Sequence, residues 1–241
     1  MGFKVQQGQV GNVVNTMPVF TGKIHSNSVS CLHNHKMIKC KKEEKCPFCC
    51  CLCFSDDAIQ SLGLPELLEL YCKRCRPLMQ QYIALYREIP FDQCLAAAAM
   101  AYCPQCPDRK KHPHQWRIPW PALESFHRNL SGYAHELRDA ADFDQLLGVV
   151  TKAKAPKIGE LACYDTALRI GAHFNKLPER TVYLHARACL HGDPKSITVE
   201  RDHFHEAFSE YKMTAYEIED FLCRFHKHLK KKRIPLTKNQ K

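Results

Sequence analysis

At 241 residues the chain can hold one large or two small domains, and 45% hydrophobic residues is an ordinary globular composition. Its longest apolar run, Leu95–Ala101 (LAAAAMA), falls well short of the ~18 residues that a membrane span needs, so no membrane association is expected. The formal charge of +10, with 14 histidines in reserve, favours a polyanionic partner, DNA ahead of RNA, over an acidic protein surface.

In chain order, Met1–Ser30 combines scattered Gly, Asn and Gln with short β-branched runs and reads as an N-terminal arm or a small hairpin. Met1–Phe20 has no apolar core between a basic start and a small-residue cleavage site. An intracellular protein, cytoplasmic or nuclear, with reduced thiols is therefore expected. Residues 31–118 form a Cys/His-rich region that carries 12 of the 15 cysteines. Eight of these twelve form four Cys-x2-Cys pairs: Cys46/Cys49, Cys50/Cys53, Cys72/Cys75 and Cys103/Cys106. Such a pair places two thiolates where one tetrahedral ion can take both, at about 2.3 Å per Zn–S bond. The polar stretch around KCKKEEKCPFC has too few aliphatic residues to fold without help, which again points to metal. Disulfides are disfavoured by the intracellular reading, whereas buried free thiols suit Cys94, Cys163, Cys189 and Cys223, which stand alone in helix-like contexts.

Ser55–Tyr71 reads as a helix, with Ser55, Asp56 and Asp57 as a start signal and a leucine-rich face around Pro65. Cys72/Cys75 follows, and Pro77 opens a further helix, LMQQYIALYREI. This succession of Cys pair and helix resembles the treble-clef and zinc-ribbon modules. Asp92–Tyr102 is again helical and ends at Cys103-Pro-Gln-Cys106-Pro, after which DRKKHPHQWRIPWP is a basic, aromatic, proline-rich loop.

Spacing ranks the ligand sets. Cys46/Cys49 with Cys72/Cys75 makes a four-thiolate site, Cys103/Cys106 with His112 and His114 a second, and Cys31, His33 or His35, and Cys40 a third. About one to three zinc ions per chain are expected on this pattern. An iron–sulfur cluster on Cys40, Cys46, Cys49 and Cys53 is the alternative cofactor. The sites read as closed and structural, because no His-Glu-x-x-His or comparable open catalytic motif occurs.

From Pro121 cysteine becomes sparse and amphipathic helices dominate, so an α-helical domain is placed at 119–228 and a basic tail at 229–241. Within it, Ala155-Pro156-Lys157-Ile158-Gly159-Glu160-Leu161-Ala162-Cys163 resembles the Leu-Pro-Gly-Ile-Gly-x-x-x-Ala element of helix-hairpin-helix proteins. Pro156, Ile158 and Gly159 match, and Lys157 replaces the first glycine. The resemblance implies that backbone N–H groups at the following helix start bind a DNA phosphate without reading sequence. It extends to the endonuclease III-like DNA glycosylases, although Tyr183 stands where that family has its catalytic aspartate and Leu161 where it has its lysine. Glycosylase chemistry is therefore not expected. The stretch YDTALRIGAHFNKLPERTVYLHA is also similar to a group of uncharacterised bacterial helical proteins.

The competing account of the same segment is an ordinary helical core with Ile158, Leu161, Leu168, Ile170 and Phe174 facing inward, and Asp165 with Arg169 as a surface ion pair. The expected fold is mainly α: a zinc-stabilised N-terminal region followed by a helix-hairpin-helix-like domain. The expected function is non-catalytic nucleic-acid binding within a larger protein complex. Contacts are expected from Lys157, Ile158 and Gly159, from Lys110 and Lys111, and from Lys230, Lys231, Lys232 and Arg233. Two rivals stand beside it: a base-excision or nuclease-like enzyme using Asp142, Asp144 or Asp165, and a protein-interaction scaffold that zinc only staples.

Overall fold

In the computed structural model, residues 59–105, 111–185, 197–232 and 234–237 are described. They are mainly helical. Helix α1 (Leu64–Leu70) runs through a π-helical turn (Tyr71–Cys75) into α2 (Arg76–Arg87), followed by α3 (Phe91–Met100). A 3-10 turn (Pro113–Gln115) precedes α4 (Trp120–Gly132), α5 (Ala134–Asp139), α6 (Phe143–Lys152) and α7 (Glu160–Phe174). Strand β1 (Thr181–Leu184) pairs antiparallel with β2 (Ile197–Glu200), Thr181 opposite Glu200. A 3-10 turn (Arg201–His203), α8 (Glu206–Glu210) and the long α9 (Ala215–Lys232) complete the order.

Helix α7 lies at the centre. Every residue from Ala162 to Ala172 is buried, so it is covered on all sides and not amphipathic in the manner of a surface helix. Around it pack α2, α3 and α6. The alanines of α3 (Ala97, Ala98, Ala99) leave room for its backbone to come close to α4 and α7, and α4 answers with Leu123, Phe126 and Leu130 at helical spacing. A second core gathers Leu67, Leu68, Tyr71 and Cys75 against Phe221, Leu222 and Phe225 of α9, with Phe204 and Phe208 alongside. Each core takes residues from both sides of residue 118, where the composition changes.

Local chemistry sets the ends of these elements. Thr214 and Glu217 form a capping box at the start of α9: the Thr214 N–H donates to Glu217 Oε2 at 3.0 Å and the Glu217 N–H to Thr214 Oγ1 at 3.4 Å. The other oxygen of Glu217 faces the guanidinium of Arg76, 3.2 Å from its Nε, and this pair joins α2 to α9. The segment around His203 and His205 is broken at Phe204 into two short pieces, with the His205 imidazole accepting from the Ala207 N–H as the cap of α8.

Cys72 and Cys75 occupy the π-helical turn and not a knuckle loop. Tyr71 and Cys75 are drawn into the second core, and that burial keeps the chain helical across the pair. Cys31, His33, Cys40, Cys46, Cys49, Cys106, Lys110 and Arg233 lie outside the described residues. No helix among the described residues is long and apolar enough to cross a membrane.

Two glycines separate space from propensity. A Cβ on Gly171 would run into the carbonyl oxygen of Lys176, whose N–H donates to the Gly171 carbonyl at 2.7 Å to close the end of α7. A Cβ on Gly148, exposed inside α6, would meet nothing within 4 Å. Gly171→Ala is expected to lose roughly 1–3 kcal/mol. Gly148→Ala is expected to gain roughly 1 kcal/mol. Chemical denaturation of the two variants measures both signs.

Candidate functional site

Helices α6 and α7 are joined by the segment Ala153–Gly159, in which exposure alternates sharply: Ala153, Ala155 and Ile158 are buried, while Lys154, Pro156, Lys157 and Gly159 are exposed. The Ile158 N–H donates to the Ala155 carbonyl at 3.1 Å, closing a four-residue turn with Pro156 and Lys157 at its centre. Lys157 has φ 71. A proline at the second position followed by left-handed backbone at the third is the pattern of a type II turn, which usually takes glycine there. Gly159 caps α7 with φ −89, an ordinary extended value, and a Cβ built on it would point into open space. The start of α7, the positive end of its dipole, therefore emerges beside an exposed lysine and a backbone without side-chain cover.

One and a half turns into α7 begins a buried polar centre. Arg169 is fully buried at 0% exposure. Its Nε donates to Tyr82 Oη at 2.6 Å, its Nη1 to the Ala98 carbonyl at 3.1 Å and its Nη2 to Gln115 Oε1 at 3.1 Å. The Gln115 amide turns its nitrogen to Asp165 Oδ2, which also lies 3.0 Å from His114 Nδ1. Asp165 and Arg169, expected as a surface ion pair, are instead both buried and bridged by Gln115. The reason is the all-round burial of α7, which a one-sided helical pattern understates.

The electrostatics follow from this packing. Burial alone would raise the Asp165 carboxyl, but the His114 ring, its hydrogen bond and the nearby Arg169 outweigh that and hold it well below the usual carboxylate range. Burial likewise works against a charged His114 ring, and the Asp165 carboxylate overcomes it and raises the imidazole far above its ordinary value. His112 is kept neutral by burial, by His114 and by Arg169. The Cys223 thiol of α9, pushed up by burial, completes the surroundings through a hydrogen bond with His114.

His112, His114 and Asp165 each offer a ligand atom, and these atoms lie within 4.8 Å of one another, a cluster that could hold one metal ion. Two ligands at about 2.1 Å from a tetrahedral ion sit about 3.4 Å apart, close to the separation of His114 Nδ1 and Asp165 Oδ2. Of the set expected from spacing, the structure brings His112 and His114 together and buries Cys103 nearby in sequence. It adds Asp165, from a helix fifty residues further on. No protein-family model matches the sequence, and no curated protein or solved structure is similar to it.

The acids proposed for an enzyme have structural partners. Asp142 caps α6 by accepting from the Gln145 N–H at 2.9 Å, and Asp144 accepts from the Tyr183 hydroxyl. Leu161 is half-buried on the first turn of α7. Of the basic residues, Lys111 is engaged with the Ile118 carbonyl and with the ring of Trp120, whereas Lys230, Lys231 and Lys232 are exposed at the end of α9.

Beside this centre, Tyr164 Oη and both ring nitrogens of His185 are buried without a hydrogen-bond partner among the described residues. Close by, burial and then the Asp165 charge push the Glu219 carboxyl well above the ordinary 4.5. A carboxyl raised by folding contributes least once the pH exceeds that ordinary value, because the unfolded chain then ionises and the folded one resists. Glu219→Gln should thus match wild type near pH 4 and exceed it in stability near pH 7, as urea denaturation at the two pH values will show. An equal difference at both would contradict the raised carboxyl.

Proposed function

We propose that the chain is a zinc-binding, non-catalytic nucleic-acid-binding protein that grips phosphate through the α6–α7 hairpin and acts in a larger complex. The observation that carries this reading is the left-handed backbone of Lys157, φ 71, in the place where a helix-hairpin-helix motif has glycine. The lysine thus takes the turn that glycine would make and adds a cation to it. Next to it, the absence of a side chain at Gly159 serves no packing need among the described residues, since nothing lies within 4 Å of a Cβ built there. An approaching phosphate is a reason for that empty space, and the N–H groups at the start of α7 would be its donors. Lys154 and the run Lys230–Lys232 add exposed positive charge.

Zinc is assigned two places. His112, His114 and Asp165 would hold one ion, which when bound would clamp the 3-10 turn to α7. The thiolates of the N-terminal region, with Cys46 and Cys49 foremost, would hold the others and supply the folding energy that the aliphatic-poor sequence lacks. The absence of a lysine at Leu161 and of an aspartate at Tyr183, together with the structural engagement of Asp142 and Asp144, supports the non-catalytic reading.

Gly159→Ala separates binding from folding. It should leave thermal stability unchanged and weaken duplex DNA binding several-fold, because the new methyl occupies the phosphate's approach. Lys157→Gly should relieve roughly 1 kcal/mol of backbone strain while weakening binding, stability and affinity moving in opposite directions. Wild-type affinity should fall by roughly 0.7–0.9 log unit per log unit of salt for each phosphate contacted. Wild-type protein that binds no duplex even at low salt would sink the proposal. For the metal, His114→Ala should remove close to one equivalent of zinc from the purified full-length chain, and unchanged zinc content would remove that site.

A further inference from the structure

The chain's two tryptophans, Trp116 and Trp120, are 50% and 40% exposed and are the only large hydrophobic side chains left exposed among the described residues. Each carries a cation on one face. The Arg117 guanidinium lies 5.0 Å from the Trp116 ring, and the Lys111 ammonium 4.8 Å from the centre of Trp120, where it is anchored to the Ile118 carbonyl. Trp120 sits between Pro119 and Pro121 at the first turn of α4, so its backbone is fixed before any ligand arrives. It opens onto a groove of about 750 Å³ lined by Tyr102, His127, Arg128 and the single acid Glu124, with Met100 as part of its floor.

We propose that this groove binds the unpaired bases of a single nucleic-acid strand, with Trp120 as the stacking platform. The proposal rests on the reading of the α6–α7 hairpin as the phosphate grip and extends it. An aromatic face with cations around it is what unpaired bases on a phosphodiester chain require, since stacking is sequence-tolerant and the cations follow the backbone. A paired base has both faces already stacked and gains nothing from Trp120. Trp120, Glu124, His127 and Ser131 form one stripe along α4, and Asn129, on the opposite face of the same helix, donates to the Ala153 carbonyl at 3.0 Å, so α4 stands between the groove and the start of the hairpin.

The test uses the full-length chain and its own two fluorophores. Titration with single-stranded oligothymidylate, and separately with oligouridylate, should quench the tryptophan emission, and an abasic strand of the same length should bind far more weakly. Trp120→Ala should lower single-strand affinity by roughly 5- to 100-fold and leave duplex affinity unchanged. Trp120→Phe, which keeps a stacking face and the helix start, should retain most of the affinity. Gly159→Ala should weaken the duplex. Single-strand affinity unchanged in Trp120→Ala, or an abasic strand that binds as tightly as the natural one, overturns the proposal. Duplex binding indifferent to Gly159→Ala, with quenching intact, would remove the hairpin reading alone.

Discussion

The fold turns on the burial of one positive charge. A guanidinium brought out of water is costly unless its donors are met, and Arg169 meets its own with Tyr82 of α2, the Ala98 carbonyl of α3 and Gln115. Ala98 lies in the last turn of α3, where the helix dipole is negative, and its carbonyl takes the guanidinium alongside the Ala101 N–H at 3.3 Å and the Thr166 hydroxyl at 3.4 Å. Asp165 supplies the balancing charge through Gln115. No neutral residue of similar size would satisfy α2, α3 and the 112–115 turn at once, and for that reason their positions relative to α7 depend on it.

The same helix carries the start proposed to meet phosphate and the candidate metal ligand Asp165. Gly159 starts it, Asp165 stands about 9 Å further along at about 1.5 Å per residue, and Arg169 follows one turn later. The amides proposed to meet phosphate thus grow from the element held most firmly in the core, and an ion on His112, His114 and Asp165 would fasten to that element the segment that carries Trp116 and leads into α4. Preorganisation of this kind lowers the ordering cost of binding.

Much of the helical layout was legible in the sequence, because Pro77, Pro121 and the apolar spacing of α4 are local signals. The turn between α6 and α7 was legible for the same reason: Pro156 and its neighbours act over a few residues. What escaped was set by tertiary contacts. Gln115 looks like any loop glutamine until Arg169 and Asp165 are brought to either side of it. Asp165 pairs with a histidine 51 residues away, and no spacing rule reaches that far. The turn at Cys72 and Cys75 stayed helical because Tyr71 and Cys75 found a core in α9, at the other end of the chain. The two strands are four residues each, too short to stand out in the sequence, although β1 alternates in burial and turns Val182 and Leu184 into the second core.

The central claim is that phosphate meets the chain at the start of α7. Amide chemical shifts of the 241-residue chain, followed by NMR during titration with a short duplex of arbitrary sequence, test this residue by residue. The account predicts the largest changes at the N–H groups of Ile158, Gly159, Glu160 and Leu161, progressing with salt-sensitive affinity. Saturable binding that leaves these four amides unmoved while shifting others would contradict it.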